Sequence, residues 1–156
     1  MVLQAKGRNV SHIFFLDSDV ILPPDGLIRL FSHQLAIVSA LYGSKHGFPG
    51  VWIKISESGE KKYSPIRPDV LVQHSLFTHP DIVIGMGACL IDIKVFDRIP
   101  EPWFYWTQGR EKDGVSEDFY FCEKIRQHIP IFVDTTVQCR HLDFAHISAI
   151  GERSKM

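Results

Sequence analysis

Apolar residues occur along the chain in short runs that alternate with stretches of helical spacing. The run at residues 12–16 stops at the sequence Asp-Ser-Asp of residues 17–19, which predicts a buried strand of a mixed or parallel sheet. Asp25 follows two prolines and is a suitable N-cap, and the apolar residues after it predict a helix. Residues 36–41 predict a second core strand, and the glycine-rich residues 43–50 predict a loop.

The middle of the chain is typical of strands. Residues 51–55 and 62–66 predict a hairpin around a turn at 57–60. Residues 81–84 and 88–93 predict two more strands.

The last third combines short helices and strands. Residues 94–99 predict a short helix, and Ser116 is expected to cap a helix over residues 117–128. Residues 131–133 and 136–139 predict the last two strands. Strands that alternate with helices, without a repeat or a linker, indicate one α/β domain over residues 1–156.

The composition is that of an ordinary globular protein, with 45% hydrophobic residues, 22% charged residues and a formal net charge of -1. So small a charge provides no overall field that would attract nucleic acid or an anionic membrane. The apolar runs are too short for a transmembrane segment, and the mixed N-terminus predicts no signal peptide. The 3 cysteines are scattered and lack a CxxC pair, which indicates reduced thiols in a cytoplasmic protein.

Asp17 and Asp19 form the most specific local motif. Two carboxylates one residue apart at the end of a strand can point into the crevice where α/β sheets bind ligands. Hard oxygen ligands suit Mg²⁺ or Mn²⁺, which bridge the oxygens of a diphosphate. The alternative is a polar turn, in which aspartates are common.

Glu117 and Asp118 lie in the first turn of a predicted helix. Acidic residues there complement the helix dipole and need no further role. The functional alternative is that one carboxylate acts as a general base.

His141 directly follows the last predicted strand. It is either a structural histidine or the residue that completes a carboxylate-based metal site, since imidazole binds manganese or zinc. His146 is the spare candidate ligand, and Asp143 is a weaker one.

Gly85 and Gly87 interrupt two predicted strands. They do not form a dinucleotide-binding motif, because the GxGxxG continuation is missing. They indicate either a close backbone approach, by a ligand or by another segment, or a simple bulge or bend. The aromatic residues 103–106 offer flat apolar faces that suit sugars, although part of this cluster is expected to belong to the core.

Taken in order, these motifs resemble the family 2 glycosyltransferases and their relatives with the GT-A fold. The match comprises the strand into the Asp-Ser-Asp motif, the Pro-Pro helix start, the strand of residues 37–42 and the glycine segment of residues 85–91. The acidic helix start and the strand into His141 complete it. The resemblance implies a GT-A-like mixed sheet flanked by helices. It also implies a metal-dependent enzyme that moves a sugar from a nucleotide-diphosphate donor to an acceptor hydroxyl, with inversion.

The resemblance also implies residue roles. Asp17, Asp19 and His141 would hold Mn²⁺ or Mg²⁺ on the donor diphosphate. Asp118 would be the catalytic base, with Glu117 as the second choice.

Two further groups would bind the substrates. Gly85 and Gly87 would contact the donor sugar. Trp103 and Trp106 would contact a carbohydrate or another hydroxyl acceptor.

The N-terminal part departs from the family pattern. Only 16 residues precede Asp17, whereas family members carry the first βαβ units there. We therefore expect a domain that is partial at its N-terminus and lacks most of the nucleoside pocket. A homo-oligomer or a partner chain would then supply the missing half.

Two other functions stay open. A sugar-phosphate nucleotidyltransferase needs a basic, glycine-rich loop near the N-terminus, which the sequence lacks. A non-catalytic carbohydrate-binding or assembly protein would keep the fold without the chemistry.

Overall fold

The structure of the chain, a computed structural model, describes residues 1–43, 49–57, 60–71, 73–106 and 115–142. Most of the loop predicted at 43–50, the irregular stretch at 107–114 and the spare ligands Asp143 and His146 lie outside these residues.

The described residues form four α-helices, one 3-10 helix and nine strands. The α-helices are α1 (Val2–Lys6), α2 (Gly26–Ser32), α3 (Pro68–Leu71) and α4 (Glu117–Ile125), and the 3-10 helix is Ile93–Asp97. The strands are β1 (His12–Leu16), β2 (Val20–Ile21), β3 (Ile37–Tyr42), β4 (Val51–Glu57), β5 (Glu60–Pro65), β6 (Leu76–Phe77), β7 (Ile82–Ile84), β8 (Ala88–Asp92) and β9 (Phe132–His141).

The larger sheet is mixed and has the strand order β1-β8-β3-β9-β2, with the short β6 also paired to β9. β8 runs antiparallel to both of its neighbours, whereas β3 and β9 are parallel. A smaller antiparallel sheet has the order β5-β4-β7. The chain is therefore an α/β protein with a mixed sheet, as the sequence predicts.

Two apolar layers cover the larger sheet, and alternate residues of its central strands supply them. In β8, Ala88 and Leu90 face the layer that contains Leu30 of α2, while Cys89 and Ile91 face the opposite layer. This period of two is the pattern expected of a strand that is buried on both faces.

The second layer joins the two sheets through α4. Phe121, Cys122 and Ile125 of this helix are fully buried and pack in the same core as Ile82 and Ile84 of β7. Their spacing of three and four residues places them on one helical face. This packing holds the first turn of α4 beside the segment between β7 and β8.

Most predicted elements are confirmed, with shifted ends. The predicted helix at 94–99 is a 3-10 helix, and the predicted helix at 117–128 ends at Ile125. β1 has the predicted bounds, but the prediction of a buried strand is wrong: β1 lies at the sheet edge, and only its Ile13 is buried.

The last two predicted strands form the single strand β9 with an irregularity. The register with β3 shifts between Ala40 and Leu41, because β9 bulges after Asp134. The buried Asp134 carboxylate accepts hydrogen bonds from the backbone N–H groups of Thr136 (2.8 Å) and Val137 (3.2 Å). His33, at the end of α2, contacts the same carboxylate at 2.8 Å. Asp134 thus satisfies the backbone groups that the bulge leaves without ladder partners.

We expect Asp134→Ala to lower the free energy of unfolding by about 2–3 kcal/mol, because it leaves buried N–H donors without an acceptor. Burial raises the pKa of Asp134, but the hydrogen bonds from His33 and Thr136 together lower it by more. The pKa of Asp134 therefore lies below its ordinary value of 3.8. The stabilisation is therefore present above pH 4 and is lost as the pH falls through the folded-state pKa. Urea unfolding at several pH values measures both effects.

Asp25→Ala is the matched control, because Asp25 is exposed and makes no capping hydrogen bond to α2. We expect a change within about 0.5 kcal/mol for this variant. Equal effects of the two substitutions would contradict the role given to Asp134.

Candidate functional site

The Asp-Ser-Asp segment of residues 17–19 lies at one end of the larger sheet, where β1 and β9 end and β8 begins. The backbone N–H of Asp17 donates to the carbonyl of Gly87 at 3.0 Å, which joins the end of β1 to the start of β8. The carbonyl of Asp19 accepts from the N–H of Leu142 at 2.6 Å, directly after β9. The two carboxylates are therefore fixed near the segments that carry the other predicted site residues.

Asp19 and His141 are in contact at this end of the sheet. Asp19 Oδ2 lies 3.4 Å from His141 Nε2, and the histidine is largely buried as the last residue of β9. Its Nδ1 atom is buried and has no hydrogen-bond partner in the described part of the chain. The structure thus brings together two of the three predicted metal ligands.

Tyr42 at the end of β3 is the central side chain of the site. Its ring stacks on that of His141, with a centroid distance of 6.5 Å and an interplanar angle of 20°. Its hydroxyl accepts a hydrogen bond from the N–H of Gly87 at 3.1 Å. Burial raises the pKa of Tyr42 above its ordinary value, and the charges of Asp118 and Asp17 add to this shift. The tyrosine is therefore neutral and lies between the two acidic segments.

Close packing of Tyr42 explains the two glycines that interrupt the predicted strands. A Cβ atom on Gly85 would lie 2.1 Å from the Tyr42 hydroxyl oxygen. A Cβ atom on Gly87 would lie 2.9 Å from Tyr42 Cζ and 3.0 Å from Asp17 Oδ2. Tyr42 therefore leaves no room for a side chain at either position. The two glycines thus permit a close approach by another segment of the protein, which is one of the alternatives that the sequence leaves open.

The second acidic segment begins α4. Ser116 is the N-cap, and its hydroxyl accepts from the N–H of Phe119 at 3.4 Å. Asp118 Oδ2 accepts a hydrogen bond from the N–H of Met86 at 3.2 Å. Glu117 Oε2 is buried without a hydrogen-bond partner among the described residues. The Asp118 carboxylate thus contacts the glycine segment instead of serving only as a first-turn charge.

Burial and crowding perturb two of these carboxyl groups. Burial raises the pKa of Asp118 to about 6, and the charges of Glu117 and Asp17 act in the same direction. Burial also raises the pKa of Asp17, and the charge of Asp19 adds to the shift. Perturbed carboxyl groups that gather in a cleft are typical of functional sites, although purely structural networks produce them too.

A cavity of about 390 Å³ opens beside these carboxylates. Its lining combines three acidic residues with apolar side chains: Met1, Phe14, Phe15, Leu16, Asp17, Met86, Phe104, Glu117 and Asp118. Such a lining suits a ligand that presents both a polar group and an apolar face.

The predicted acceptor-binding tryptophans lie elsewhere. Trp103 packs edge-on against Phe96 and donates its indole N–H to the carbonyl of Ile99 at 3.1 Å. Trp106 is 58% exposed. Neither lines the cavity, whereas Phe104 of the same aromatic cluster does.

The predicted metal ligands do not form a complete site by themselves. Among the described residues, no group of three or more His, Cys, Asp and Glu side chains is placed to hold a metal ion. Asp19 and His141 therefore offer at most a partial set of ligands.

Three residues of the site carry no individual role in the sequence analysis. They are Tyr42, Met86, which supplies the N–H group bound by Asp118, and Phe104, which was expected only as part of the aromatic cluster and lines the cavity. Glycines at positions 50, 85 and 87 are the one sequence signal for Tyr42, because each approaches its ring closely. Such a signal indicates a bulky neighbour without identifying it.

Comparisons with known proteins show a likeness of fold. No family model and no curated protein matches the chain. Among solved structures, it is similar to the crystal structure of A197 from STIV, a viral protein, with 18% sequence identity and a TM-score of 0.58. The match covers 90% of this chain and 62% of that chain.

These findings overturn the resemblance to the family 2 glycosyltransferases. The likeness to A197 supports an α/β fold and does not indicate a glycosyltransferase, and no family model supports the assignment. The serial motifs therefore do not define the family. Short apolar strands, aspartate turns and acidic helix starts are common in α/β proteins, so their order was less specific than we expected.

Within the part of the chain that the structure describes, no helix is long and apolar enough to cross a membrane. The three cysteines are free and buried.

We expect Gly85→Ala to lower the free energy of unfolding by roughly 1–3 kcal/mol, because the new methyl group overlaps the Tyr42 hydroxyl. The same substitution in a Tyr42→Phe background should cost clearly less, since the nearest remaining ring atom, Cζ, is 3.3 Å away. A double-mutant cycle from urea unfolding measures the coupling. Gly43→Ala is the control because a Cβ atom there meets nothing within 4 Å. Additive effects would show that the two residues are not in this contact.

We expect Asp118→Asn to stabilise the protein at pH 7.5 by up to about 2–3 kcal/mol, because an amide keeps the Met86 hydrogen bond without a buried charge. The folded-state pKa of Asp118 is about 6, against an ordinary value of 3.8. The folded state therefore holds more protons than the unfolded state between these values, and wild-type stability falls as the pH rises through this window.

Urea unfolding of Asp118→Asn and the wild type at pH 3.5 and 7.5 tests this expectation. The difference in free energy should be small at the lower pH and large at the higher one. A difference independent of pH would contradict the raised pKa.

Proposed function

We propose that the chain is a metal-dependent glycosyltransferase, which moves a sugar from a nucleotide-diphosphate donor to an acceptor hydroxyl with inversion. The single observation that carries the proposal is the convergence of two acidic segments about 100 residues apart in the sequence. Asp19 contacts His141, whose ring stacks on Tyr42, and Asp118 binds the glycine segment that the Tyr42 hydroxyl also contacts. The proposal concerns the chemistry of this site and does not include membership of a glycosyltransferase family.

The ligand set fits a cation that is shared with the substrate. Mg²⁺ and Mn²⁺ are usually held by one or two carboxylates together with substrate phosphates, and not by a cage made of protein alone. Asp19 and His141, with Asp17 beside them, match this pattern better than a preformed centre. When bound, the cation neutralises the charge that develops on the departing diphosphate.

Asp118 is the proposed general base. Its pKa of about 6 is close to neutral pH, where a base is mostly ionised yet still accepts a proton. The hydrogen bond from Met86 fixes one carboxylate oxygen, Oδ2, and leaves Oδ1 for the acceptor hydroxyl. Glu117 is the second candidate, because its Oε2 atom has no hydrogen-bond partner among the described residues.

The cavity beside Asp118 is the proposed acceptor site. Phe104, Phe15 and Met86 provide apolar surface for the C–H face of a sugar and limit the access of water. Gly85 and Gly87 remain the proposed backbone contacts of the donor sugar. Trp103 and Trp106 would reach an acceptor only if it extended beyond this cavity.

The proposed function also implies a particular arrangement of the larger sheet. We propose that the mixed sheet is arranged as in nucleotide-diphospho-sugar transferases. A second copy or a partner chain is proposed to contribute to the wall that binds the nucleoside. The buried free cysteines are consistent with a cytoplasmic location, which is also part of the proposal.

A non-catalytic carbohydrate-binding protein is the second candidate. The absence of a group of three or more metal-binding side chains among the described residues favours it. The two functions differ in whether binding of a nucleotide requires a cation.

We expect UDP or GDP to bind measurably in the presence of Mn²⁺ and much more weakly without it, because the ion contacts both protein and diphosphate. Mn²⁺ alone should also bind weakly, since the protein supplies an incomplete ligand set. Isothermal titration calorimetry measures all three cases. Lack of metal-dependent nucleotide binding at millimolar ligand would contradict the transferase proposal and leave the carbohydrate-binding alternative.

Two variants separate binding from catalysis. Asp19→Ala should abolish metal-dependent binding, whereas Asp118→Asn should preserve binding and remove sugar transfer. Asp69→Ala is the matched control, because this exposed carboxylate pairs with Arg67. Loss of nucleotide binding in Asp118→Asn would contradict its role as the base.

A further inference from the structure

A second cavity lies at the C-terminal end of α4, whereas the acidic segments lie near its N-terminal end. The cavity has a volume of about 360 Å³. Residues 78–80, in the turn between β6 and β7, form one wall, and residues 126–131, between α4 and β9, form the other. Its lining shares no residue with the cavity beside Asp118.

Hydrogen bonds within the protein hold the two walls in place. The Thr78 hydroxyl donates to the carbonyl of Ile131 at 2.8 Å, which joins the walls directly. The N–H of Ile82 donates to the carbonyl of His79 at 3.1 Å and closes the turn before β7. The cavity is therefore formed without a ligand, as is usual for binding sites of small molecules.

Arg126 is a largely buried cation in the lining of this cavity. Its side chain is 9% exposed, and its Nη1 atom donates to the carboxylate of Asp81 at 2.8 Å. Its Nε atom is buried and has no hydrogen-bond partner among the described residues. A buried donor of a charged group is costly to leave without an acceptor. Asp81 thus satisfies only part of the guanidinium, whose neighbouring nitrogens are suited to binding two oxygens of one oxyanion.

His79 and His128 add two further hydrogen-bond donors to the lining. The Nδ1 atom of His79 accepts a hydrogen bond from the N–H of Asp81 at 3.0 Å. This nitrogen therefore carries no proton, so that Nε2 carries the proton of the ring and is a donor. None of the described residues that line the cavity is acidic. Such a lining favours an anion over a cation.

Two nearby groups oppose an anion, and both have partners. The C-terminal end of a helix carries partial negative charge. At the end of α4, however, the carbonyl of Ile125 accepts hydrogen bonds from the N–H groups of His128 (2.8 Å) and Ile129 (2.9 Å). The carboxylate of Asp81 is the other opposing group, and it is paired with Arg126.

We propose that this cavity binds the phosphate group of a small phosphate monoester. A phosphate group presents three oxygens, which match donors from Arg126, His79 and His128, whereas a carboxylate presents only two. Pro80 and Ile129 supply apolar surface for the organic part of the ligand. The site involves neither acidic segment and no metal, so it does not depend on the proposed function.

An NMR titration of the metal-free 156-residue chain tests this site. Inorganic phosphate and phenyl phosphate are added separately at constant ionic strength. We expect saturable shifts of the amide resonances of residues 79 and 126–129 and of the Arg126 Nε–H, with tighter binding of phenyl phosphate because of its apolar part. No saturable shift, shifts centred elsewhere, or equal affinities for the two probes would overturn the proposal.

Three variants test the role of the guanidinium. Arg126→Gln should weaken the binding of phenyl phosphate by about tenfold or more, because it removes charge-assisted hydrogen bonds. Arg67→Gln is the matched control, because this exposed arginine also pairs with a carboxylate, and its affinity should not change. Asp81→Asn should tighten binding by roughly threefold, since it removes the negative charge that shares the guanidinium.

The opposite signs make the test independent of any loss of folding in Arg126→Gln. Unchanged or weaker binding in Asp81→Asn, or equal effects of the two arginine variants, would overturn the proposal. Because no divalent metal is present, these outcomes are independent of the calorimetric test of nucleotide binding.

Discussion

The candidate site depends on the packing of Tyr42 against the glycine segment between β7 and β8. The ring occupies the space that side chains at Gly85 and Gly87 would fill, and its hydroxyl accepts a hydrogen bond from the Gly87 N–H group. This contact brings the backbone of the segment close to the ends of β3 and β9. As a result, the N–H groups of residues 86 and 87 and the carbonyl of Gly87 are available to Asp118, Tyr42 and Asp17, respectively. Tyr42 thus packs against the segment whose backbone groups bind both acidic segments.

The site places the carboxyl groups of Asp17 and Asp118 in partly buried positions, where burial disfavours their charged forms. Asp118 has few solvent contacts, and Asp17 and Glu117 lie within electrostatic range of it. A fold selected for stability alone would avoid such crowding, whereas a site that binds a cation or moves a proton uses it. Asp134 shows the opposite case: its buried carboxylate is surrounded by donors, its pKa is lowered, and its role is to stabilise a strand bulge. The two aspartates differ in environment and not in burial alone.

The sequence predicted the helices and strands better than it predicted which of them become neighbours. Alternation and helical spacing located β1, α2, the β4-β5 hairpin and α4, because each pattern reports which local faces are buried. The edge position of β1 and the bulge in β9 were missed because they depend on which strands become neighbours. For the site, Asp19 and His141 were predicted together and lie 3.4 Å apart. Tyr42 was missed because nothing in its local sequence shows that three distant glycines meet its ring.

The order of these motifs along the chain is not specific for one family. Each motif has a local physical cause, such as a turn, a helix cap or a strand end, and these causes recur in many α/β proteins. The geometry of the site supports the proposed chemistry without a family assignment. The most direct measurement is paramagnetic broadening of backbone amide resonances by Mn²⁺ in the presence of UDP. The account predicts broadening concentrated at Asp19, Tyr42, Gly87 and His141, and broadening centred on exposed carboxylates such as Asp69, or none at all, would contradict it.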